Sequence, residues 1–565
     1  MEEKDKETIE IERKKEKLKT FLRDKHNLFF IFILIFAIVI RLYYFTLTKN
    51  QPLWWDEADY MAYAKNLAGY PTHWIITDQH MSFFPYIASL FYRLNLSEII
   101  MKFVLELIPS IAIVLLVYAI CLILYKDKRI ALISMFLSAV LYEILFNSFR
   151  FHVDIPALSI GLLAVYVFFK GYEKKEKIFG KIDPKLTIPL TVTLVALTYS
   201  IRRGYFLFGI FFLVYMLATK NFKVLIKDKY NWISLLIVIV MLSVFEVFLF
   251  GTSIGGAATQ YYHGEVPINL SSFDVFKVLF KNPYSKYLHV LFYSFYFGLI
   301  LILTRIILLY SNIRRDEFND KKSDFFVIII ISITMSYFIF FQRATEFGEA
   351  RWYLPLILGS FICISKSTLF IADHTKELNK FAPILVILLL VGYSGYYQLA
   401  EADFIIKNKK DSFSGIKEVS LHLKENSNSN DAVISVGVPQ AAYYSERNVM
   451  APWEIFKDEP ESGGINSNYN ITFEQFISKL EKREDVKYII VTLSEPNHPK
   501  FMREDRYSQN TNGQIILTGV YIALMGTTID FITGQHDIKQ EAKYPNFSIK
   551  LVKISGDAFL YEIIR

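Results

Sequence analysis

Repeated apolar runs of membrane-spanning length constrain this chain more than any other feature of its sequence. A helix needs about 20 apolar residues to cross the hydrocarbon core of a bilayer. Candidate runs occur at 28–48, 99–125, 129–147, 154–172, 187–202, 204–219, 232–250, 287–310, 324–341, 352–371 and 381–399. The sequence therefore predicts a multi-pass α-helical membrane protein with about eleven spans. Residues 1–27 form a charged cytosolic segment, and residues 28–400 form the membrane domain.

The charges between these runs predict the orientation. Lysines are concentrated in every second connection, and the short connections between them carry few positive charges, nearly all arginine. Because cytosolic loops carry the excess of basic residues, this alternation places the N-terminus in the cytosol and residues after the eleventh span outside the cell membrane. The net charge of +7 follows from these loops, so it does not require a nucleic-acid partner.

After about residue 400 the composition changes to that of a soluble domain. Short apolar segments alternate with amphipathic helical segments, which predicts an extracytoplasmic α/β domain over 401–565. Residues 515–532 are apolar enough to suggest a further span, but their glycines, threonines and Asp530 favour strands. Cys121 and Cys363 lie within apolar runs, so neither a disulfide framework nor a cysteine metal site is predicted.

The first predicted outer loop carries an acidic cluster. Asp56 and Glu57 follow two tryptophans just after the first span, and Asp59 comes two residues later. Carboxylates at a helix start complement the helix dipole, so a purely structural role is one interpretation. Acidic groups this close to a membrane are costly, however, and the alternative is a general base at Asp56. His80, further along the loop, is by itself typical of a solvated histidine.

The second outer loop adds a basic and an acidic group at the start of the fourth span. Pro156 suits the first turn of a helix, so Asp154 is compatible with an ordinary helix cap. A cap does not explain Arg150 and His152, which precede it.

Arginines recur where the remaining outer loops meet the membrane. Arg202 and Arg203 follow the fifth span, and Arg351 precedes the tenth. Each one alone is explained by snorkelling to the lipid headgroups. Lysine would serve that purpose equally well, whereas a planar guanidinium is the better phosphate ligand. The outer loops together therefore favour a phosphate-bearing lipid between the helices and transfer of a polar group at the outer face.

In these motifs the chain resembles the C-type membrane glycosyltransferases, in the branch of the protein O-mannosyltransferases and the aminoarabinose transferases that act on lipid A. The resemblance covers roughly residues 28–400. It is carried by the acidic pair, a basic residue before an interfacial helix, an Arg-x-x-x-Asp-x-Pro-like segment, a basic-Gly turn and an Arg-Tyr-x-x-Pro-like segment. The matching residues are Asp56 and Glu57; His80; Arg150, Asp154 and Pro156; Arg202, Arg203 and Gly204; and Arg351, Tyr353 and Pro355.

Two departures from related families leave the acceptor open. The chain has no evident trefoil insertion like that of the eukaryotic mannosyltransferases. Trp54-Trp55-Asp56 is followed by Glu57-Ala58, not by the Tyr-Gly of the oligosaccharyltransferase signature.

The resemblance implies transfer of a sugar from a polyprenyl-phosphate, dolichyl-phosphate-like donor to a protein, lipid or glycan acceptor. A single displacement would invert the anomeric centre. The implied catalytic residues are Asp56, Glu57 and Asp154; the implied donor-phosphate ligands are Arg150, Arg202, Arg203 and Arg351; and the implied substrate contacts are His80, Glu349 and Tyr353. No cofactor is certain, although Asp56, Asp154 and His80 are residue types able to hold a divalent metal.

Two other classes of protein would use parts of the same sequence. A transporter or flippase for a lipid-linked sugar would use the same arginines without a base at Asp56. Such transporters usually have paired halves and broken helices, and neither is visible in the sequence. A membrane anchor for a C-terminal binding module would leave the charged outer loops unexplained. The sequence therefore favours a membrane glycosyltransferase with membrane lipids, a lipid-phosphate donor and an acceptor as its partners.

Overall fold

The computed structural model describes residue 16 and residues 19–76, 80–250, 290–308, 319–337, 350–456, 471–493, 499–509 and 515–565. The chain divides into two units. The helical unit comprises Met1–Lys49 and Glu98–Asn408, and the loop–sheet unit comprises Asn50–Ser97 and Lys409–Arg565. The loop after the first span, Asn50–Ser97, therefore falls in the same unit as the C-terminal residues Lys409–Arg565.

Membrane-spanning helices dominate the fold. Eight helices within the described ranges are long and apolar enough to cross a membrane: Lys25–Thr48, Glu98–Tyr125, Asp154–Glu173, Pro184–Ile201, Lys229–Val247, Val290–Leu308, Arg351–Thr375 and Ala382–Asn426. The last of these stretches includes the helix Tyr393–Lys409 and, beyond a turn, the helix Ser414–Asn426. The protein is therefore a multi-pass membrane protein, as predicted.

The other three predicted spans are helical but do not meet the same criterion of length and apolarity, so the count of eleven is not confirmed. The run 129–147 divides into Lys128–Val140 and Tyr142–Asn147, because Leu141 leaves the helical conformation at ψ 121°. Arg203–Thr219 is apolar but short. Asp320–Tyr337 has a charged first turn, which lowers its mean hydropathy.

A buried arginine ties the first span to two neighbouring helices. Arg41 is fully buried, and its guanidinium donates to Ser110 Oγ at 2.7 Å and to the carbonyl oxygen of Ala139 at 3.1 Å. A buried charge is tolerated only where hydrogen bonds replace its water. These bonds therefore hold the helix that leads into the first outer loop.

Two sheets form the C-terminal part of the loop–sheet unit. The strands are β1 Ala432–Ser435, β2 Asn448–Met450, β3 Val486–Thr492, β4 Arg503–Gln509, β5 Ile515–Ile522, β6 Thr527–Asp530, β7 His536–Asp537, β8 Glu541–Lys543, β9 Ser548–Ser555 and β10 Ala558–Ile564. Six of them form a mixed sheet in the order β2-β1-β3-β10-β9-β8, with β1 parallel to β2 and β3 and the other pairs antiparallel. The other four form the antiparallel sheet β4-β5-β6-β7.

The helices and strands confirm the predicted α/β domain. Ser414–Asn426, Val438–Ser445 and Phe473–Lys482 are helical. Phe473–Lys482 begins with a capping box. The Thr472 hydroxyl accepts a hydrogen bond from the backbone amide of Gln475, and the Gln475 side chain accepts one from the backbone amide of Thr472. The ambiguous segment 515–532 forms β5 and β6 and is not a span.

A lysine anchors the first outer loop on the C-terminal domain. The acidic helix, Trp55–Leu67, ends near Lys65, whose side chain is only 10% exposed. Its ammonium donates to Glu446 Oε1 at 2.9 Å and to the carbonyl oxygen of Tyr443 at 3.0 Å. The same nitrogen lies 4.1 Å from the centre of the Tyr443 ring. The Tyr443 hydroxyl forms a 2.8 Å hydrogen bond with the Tyr92 hydroxyl. We call this cluster the Lys65 anchor.

Candidate active site

The acidic helix presents one accessible carboxylate. Asp56 and Glu57 lie in its first turn, where the helix dipole stabilises negative charge. Glu57 is buried, as is Asp59, whereas the Asp56 side chain is 25% exposed. Of the three, Asp56 is therefore the group best able to reach a substrate.

His80 lies between two of these carboxylates. Its Nδ1 is 2.6 Å from Asp59 Oδ2, and its Nε2 is 3.7 Å from Asp56 Oδ1. The other oxygen of Asp59 accepts a hydrogen bond from Trp74 Nε1 at 2.7 Å. The structure thus brings together Asp56 and His80, both predicted from the sequence, and adds Asp59, to which the sequence assigned no role. Asp59 lies three residues after Asp56, and residues three apart share a helix face. This spacing is the sequence feature from which Asp59 could have been identified.

The segment after His80 forms a helix, Phe84–Arg93, at the place where the resemblance implies a helix after the basic residue. Pro85 occupies its first turn, and Ser82 Oγ accepts a hydrogen bond from the Phe84 amide at 3.1 Å. The Tyr60 ring lies 5.7 Å from the His80 ring and 6.0 Å from the Phe84 ring. Aromatic packing therefore supports His80 beside the acidic helix.

In the helical unit, Asp154 is paired with basic groups. Its side chain is fully buried, with Arg202 Nε 3.2 Å from Oδ1 and His152 Nδ1 3.5 Å from Oδ2. The N-cap position of this helix is held by Val153, so Asp154 is not the cap. A buried carboxylate at a membrane-spanning helix is costly unless it is paired, and these basic groups supply the pairing.

Arg351 joins this cluster through His152. Its Nη1 is 2.7 Å from Nδ1 and 2.8 Å from Nε2 of the imidazole. Burial, together with the positive charges of Arg351 and Arg150, lowers the pKa of His152 to about 4, although Asp154 acts in the opposite direction. His152 is therefore neutral near pH 7. The guanidinium of Arg150 lies over the Phe146 ring at 5.1 Å.

Arg203 has a different partner from its neighbour Arg202. Its Nη2 is 3.0 Å from Glu246 Oε2, and both side chains are almost fully buried. Tyr199 donates to the other oxygen of Glu246 at 2.8 Å. Arg202 adopts an extended backbone conformation after the helix ends at Ile201. The two arginines therefore point to different partners.

The remaining predicted residues are placed as follows. Tyr353 is buried in the 3₁₀ segment Ala350–Leu356 of the helical unit. Glu349 lies outside the described residues. Asp56 and His80 belong to the loop–sheet unit and Asp154 to the helical unit. Over the residues whose positions are described, no group of three His, Cys, Asp or Glu side chains has an arrangement that could hold a metal ion.

Known proteins share this architecture. Residues 79–248 match the family model described as dolichyl-phosphate-mannose-protein mannosyltransferase. The archaeal oligosaccharyltransferase AglB from Archaeoglobus fulgidus, in complex with an inhibitory peptide and a dolichol-phosphate, matches with a TM-score of 0.54 and 13% identity, over 88% of this chain and 74% of that one. ArnT from Cupriavidus metallidurans bound to undecaprenyl phosphate matches with a TM-score of 0.51 and 10% identity, over 82% of this chain and 92% of that one.

The arabinofuranosyltransferase AftD from Mycobacteria matches with a TM-score of 0.50 and 9% identity, over 94% of this chain and 41% of that one. No curated protein sequence matches significantly. The fold is thus that of the C-type membrane glycosyltransferases. The family match covers His80, Asp154 and Arg202. The chain is therefore similar to the mannosyltransferases in residues 79–248 and shares its fold with membrane glycosyltransferases such as ArnT.

Proposed function

We propose that this glycosyltransferase moves a sugar from a polyprenyl-phosphate donor to an acceptor hydroxyl at the outer face of the membrane. The matched family takes its description from dolichyl-phosphate-mannose, and the similar AglB and ArnT structures hold dolichol-phosphate and undecaprenyl phosphate. The AglB structure also holds a peptide, which favours protein among the protein, lipid and glycan acceptors. The comparisons give no support to the transporter alternative.

The observation that carries the proposal is the basic cluster around Asp154. Arg202 contacts the Asp154 carboxylate, Arg351 contacts the neutral His152, and the charges of Arg351 and Arg150 both act on that imidazole. The surplus of positive charge suits a phosphate, and guanidinium groups bind phosphate through paired hydrogen bonds. When the bond to the sugar breaks, the electron pair goes to the phosphate oxygen, where these arginines stabilise the developing charge. The buried pairing of Arg203 with Glu246 gives it less opportunity for this role.

Asp56 is the proposed general base. It takes the proton of the acceptor hydroxyl while that oxygen attacks the anomeric carbon, a contribution worth about 10²–10⁴-fold in rate. One displacement with the donor phosphate as leaving group inverts the anomeric centre. Glu57, Asp154, His80 and Tyr353 are proposed to orient the substrates, and the positive-inside pattern supports an N-terminus in the cytosol and a C-terminal domain outside.

Reconstitution tests this function. Purified protein in liposomes receives a radiolabelled polyprenyl-phosphate hexose together with hydroxyl-bearing peptides, glycolipids and glycans. We expect label to join one acceptor class, and Asp56→Asn to lower the rate by about 10² or more. Asp411→Asn is the matched control, because the Asp411 side chain is 81% exposed. Label that crosses the bilayer without joining any acceptor would refute transfer, and full activity of Asp56→Asn would refute the base.

A further inference from the structure

One end of the four-stranded sheet presents large apolar side chains to its surroundings. Ile515 and Ile516 begin β5, and Phe531 and Ile532 directly follow the end of β6. All four are exposed, Ile515 to 75% and Ile532 to 70%. The Phe531 amide donates to the carbonyl oxygen of Thr518 on β5 at 2.9 Å, so the two pairs belong to the same end of the sheet. We call these four residues the apolar tip.

Hydrogen bonds fix the turn that carries half of the apolar tip. The Asp530 carboxylate accepts from the amide of Ile532 at 2.8 Å and from that of Thr533 at 2.9 Å. An Asp side chain that bonds the backbone two residues on in this way stabilises a turn. The Asp530 amide also donates to the carbonyl oxygen of Gln535 at 2.9 Å, which closes the turn. The exposure of Phe531 and Ile532 is therefore built into the backbone.

The apolar tip is apolar on both faces of the sheet. Successive residues of a strand point to opposite faces, and the neighbours Ile515 and Ile516 are both exposed. Further along the same strand, Val520 and Ile522 are fully buried in the core of the domain. A sheet that packs against one partner needs only one apolar face, and its other face is polar. Apolar surroundings on both sides are what a tip inserted into lipid meets.

The apolar tip also lies in segments without charge. Neither Ile515–Ile522 nor the turn 531–534 contains Asp, Glu, Lys or Arg, the residues that are costly to place in hydrocarbon. Beside the tip, the exposed Tyr507 pairs with Leu517 across the strands, and its hydroxyl donates to Asp505 at 2.9 Å. Tyrosine is enriched where a membrane meets water, because its ring is apolar and its hydroxyl is polar. This composition is typical of a membrane-contacting edge.

The chain connections keep a bilayer close to the loop–sheet unit. The two units are joined between residues 49 and 50, 97 and 98, and 408 and 409. Each junction lies within or next to a helical stretch of membrane-spanning length: Lys25–Thr48, Glu98–Tyr125 and Ala382–Asn426. A partner held by such short connections has a high effective concentration, so a small apolar contact is enough to bind it.

We propose that the apolar tip inserts into the bilayer that holds the spanning helices, with the Tyr507 hydroxyl at the level of the headgroups. The hydrocarbon of the lipid is what the tip recognises, because apolar surface leaves water there. The contact attaches the loop–sheet unit to the membrane at a point other than its chain connections. It is independent of the catalytic roles proposed for Asp56 and the arginines.

Spin labels on the full-length protein test the insertion. The protein is reconstituted in phosphatidylcholine liposomes with a nitroxide on Ile515→Cys, Ile516→Cys or Ile532→Cys. The two native cysteines are buried, so the wild type should take up little label. Electron paramagnetic resonance then compares collisions of the label with oxygen, which concentrates in lipid, and with a nickel chelate, which stays in water. We expect oxygen collisions to exceed nickel collisions at all three positions.

Lys539→Cys is the matched control within the same sheet. The Lys539 amide donates to Thr527 Oγ1 at 3.1 Å, at the start of β6 and so at the other end of that strand from the turn. Its side chain is exposed, and nickel collisions should exceed oxygen collisions there. The same order at the three tip positions would overturn the proposal.

Two further results would also refute insertion. Low collision rates with both reagents at the tip would show that a protein surface, such as a second copy of the chain, covers it. Lipid access at only one of Ile515 and Ile516 would show that a single face docks. The use of three labelled positions keeps the test decisive if one variant does not fold.

Discussion

Removal of the Lys65 anchor should loosen the first outer loop from the C-terminal domain. In Lys65→Met the alkyl chain still packs against the aromatic rings, but its ammonium no longer reaches Glu446 or the Tyr443 carbonyl oxygen. The Glu446 side chain is 8% exposed, so its charge stays largely buried. Lys65→Met should therefore destabilise the protein by more than the loss of a surface ion pair would.

The magnitude follows from the partner that remains. A buried charge left without any partner costs about 3–5 kcal/mol. Lys424 still lies 2.8 Å from the same oxygen of Glu446, but it is 42% exposed and screened by solvent. We therefore expect Lys65→Met to lower the free energy of unfolding by about 2–3 kcal/mol, and Lys424→Met, the matched control, by at most about 1 kcal/mol.

The anchor also gives the sign of a pH dependence. Burial alone would raise the pKa of Glu446, but Lys65 and Lys424 more than offset it, and the pKa is lower than that of an ordinary glutamate. The stability from this pair is therefore present above the usual carboxyl range and is lost as the pH falls through the lowered pKa.

Pulse proteolysis across a series of urea concentrations measures the stability of the Lys65 anchor. Cleavage within the acidic helix, scored by fragment size, reports the open loop. Equal midpoints for wild type and Lys65→Met would contradict the argument, as would a Lys424→Met effect as large as that of Lys65→Met. Glu446→Gln combined with Lys65→Met should cost less than the two single changes added together, because both act on one pair.

Three further predictions concern the helical unit. Arg351→Lys keeps the charge but loses the planar fork, so kcat should fall by about 10²-fold, while exposed Arg129→Lys should leave transfer rates unchanged. Arg203→Met should leave the buried charge of Glu246 without this guanidinium, although the Tyr199 hydrogen bond remains, and lower the free energy of unfolding by about 3 kcal/mol in thermal denaturation. A changed donor KM with unchanged stability would instead place Arg203 at the phosphate. Because the pKa of His152 is lowered to about 4, its stability contribution should be constant above about pH 6.5 and fall as the pH drops from there towards 4. Between about pH 6.5 and 4 the melting temperature of His152→Gln should therefore fall less than that of the wild type.

Local sequence patterns predicted the fold correctly in segments whose structure depends mainly on their own residues. The segment 515–532 was assigned to strands from its composition, and Gly519 shows why the composition matters. A Cβ there would lie 2.9 Å from the carbonyl oxygen of Ile529, so the close pairing of β5 and β6 needs a glycine. The break at Leu141 was missed, because an apolar run of 129–147 carries no proline or glycine to mark it.

The candidate site was less predictable, because its contacts join distant parts of the chain. Asp59 was visible beside Asp56, but its partners Trp74 and His80 come 15 and 21 residues later, and no spacing rule links them. Arg202 and Arg203 looked equivalent as neighbours in one turn. The backbone conformation at the end of the helix directs their side chains differently. Arg202 pairs with Asp154, and Arg203 pairs with Glu246.

The Lys65 anchor has a consequence for how the enzyme is made. Glu446 is synthesised 381 residues after Lys65, which at about 5–20 residues per second leaves the acidic helix without its partner for roughly 20–75 seconds. The six-stranded sheet is completed later still. Its strand β10 lies between β3 and β9, so it must be translated before all six strands can pair in order. A chain truncated before Glu446 would contain Asp56 and all the proposed arginines but not the acidic partner of Lys65. The Lys65 anchor can therefore form only after more than three quarters of the chain has been translated.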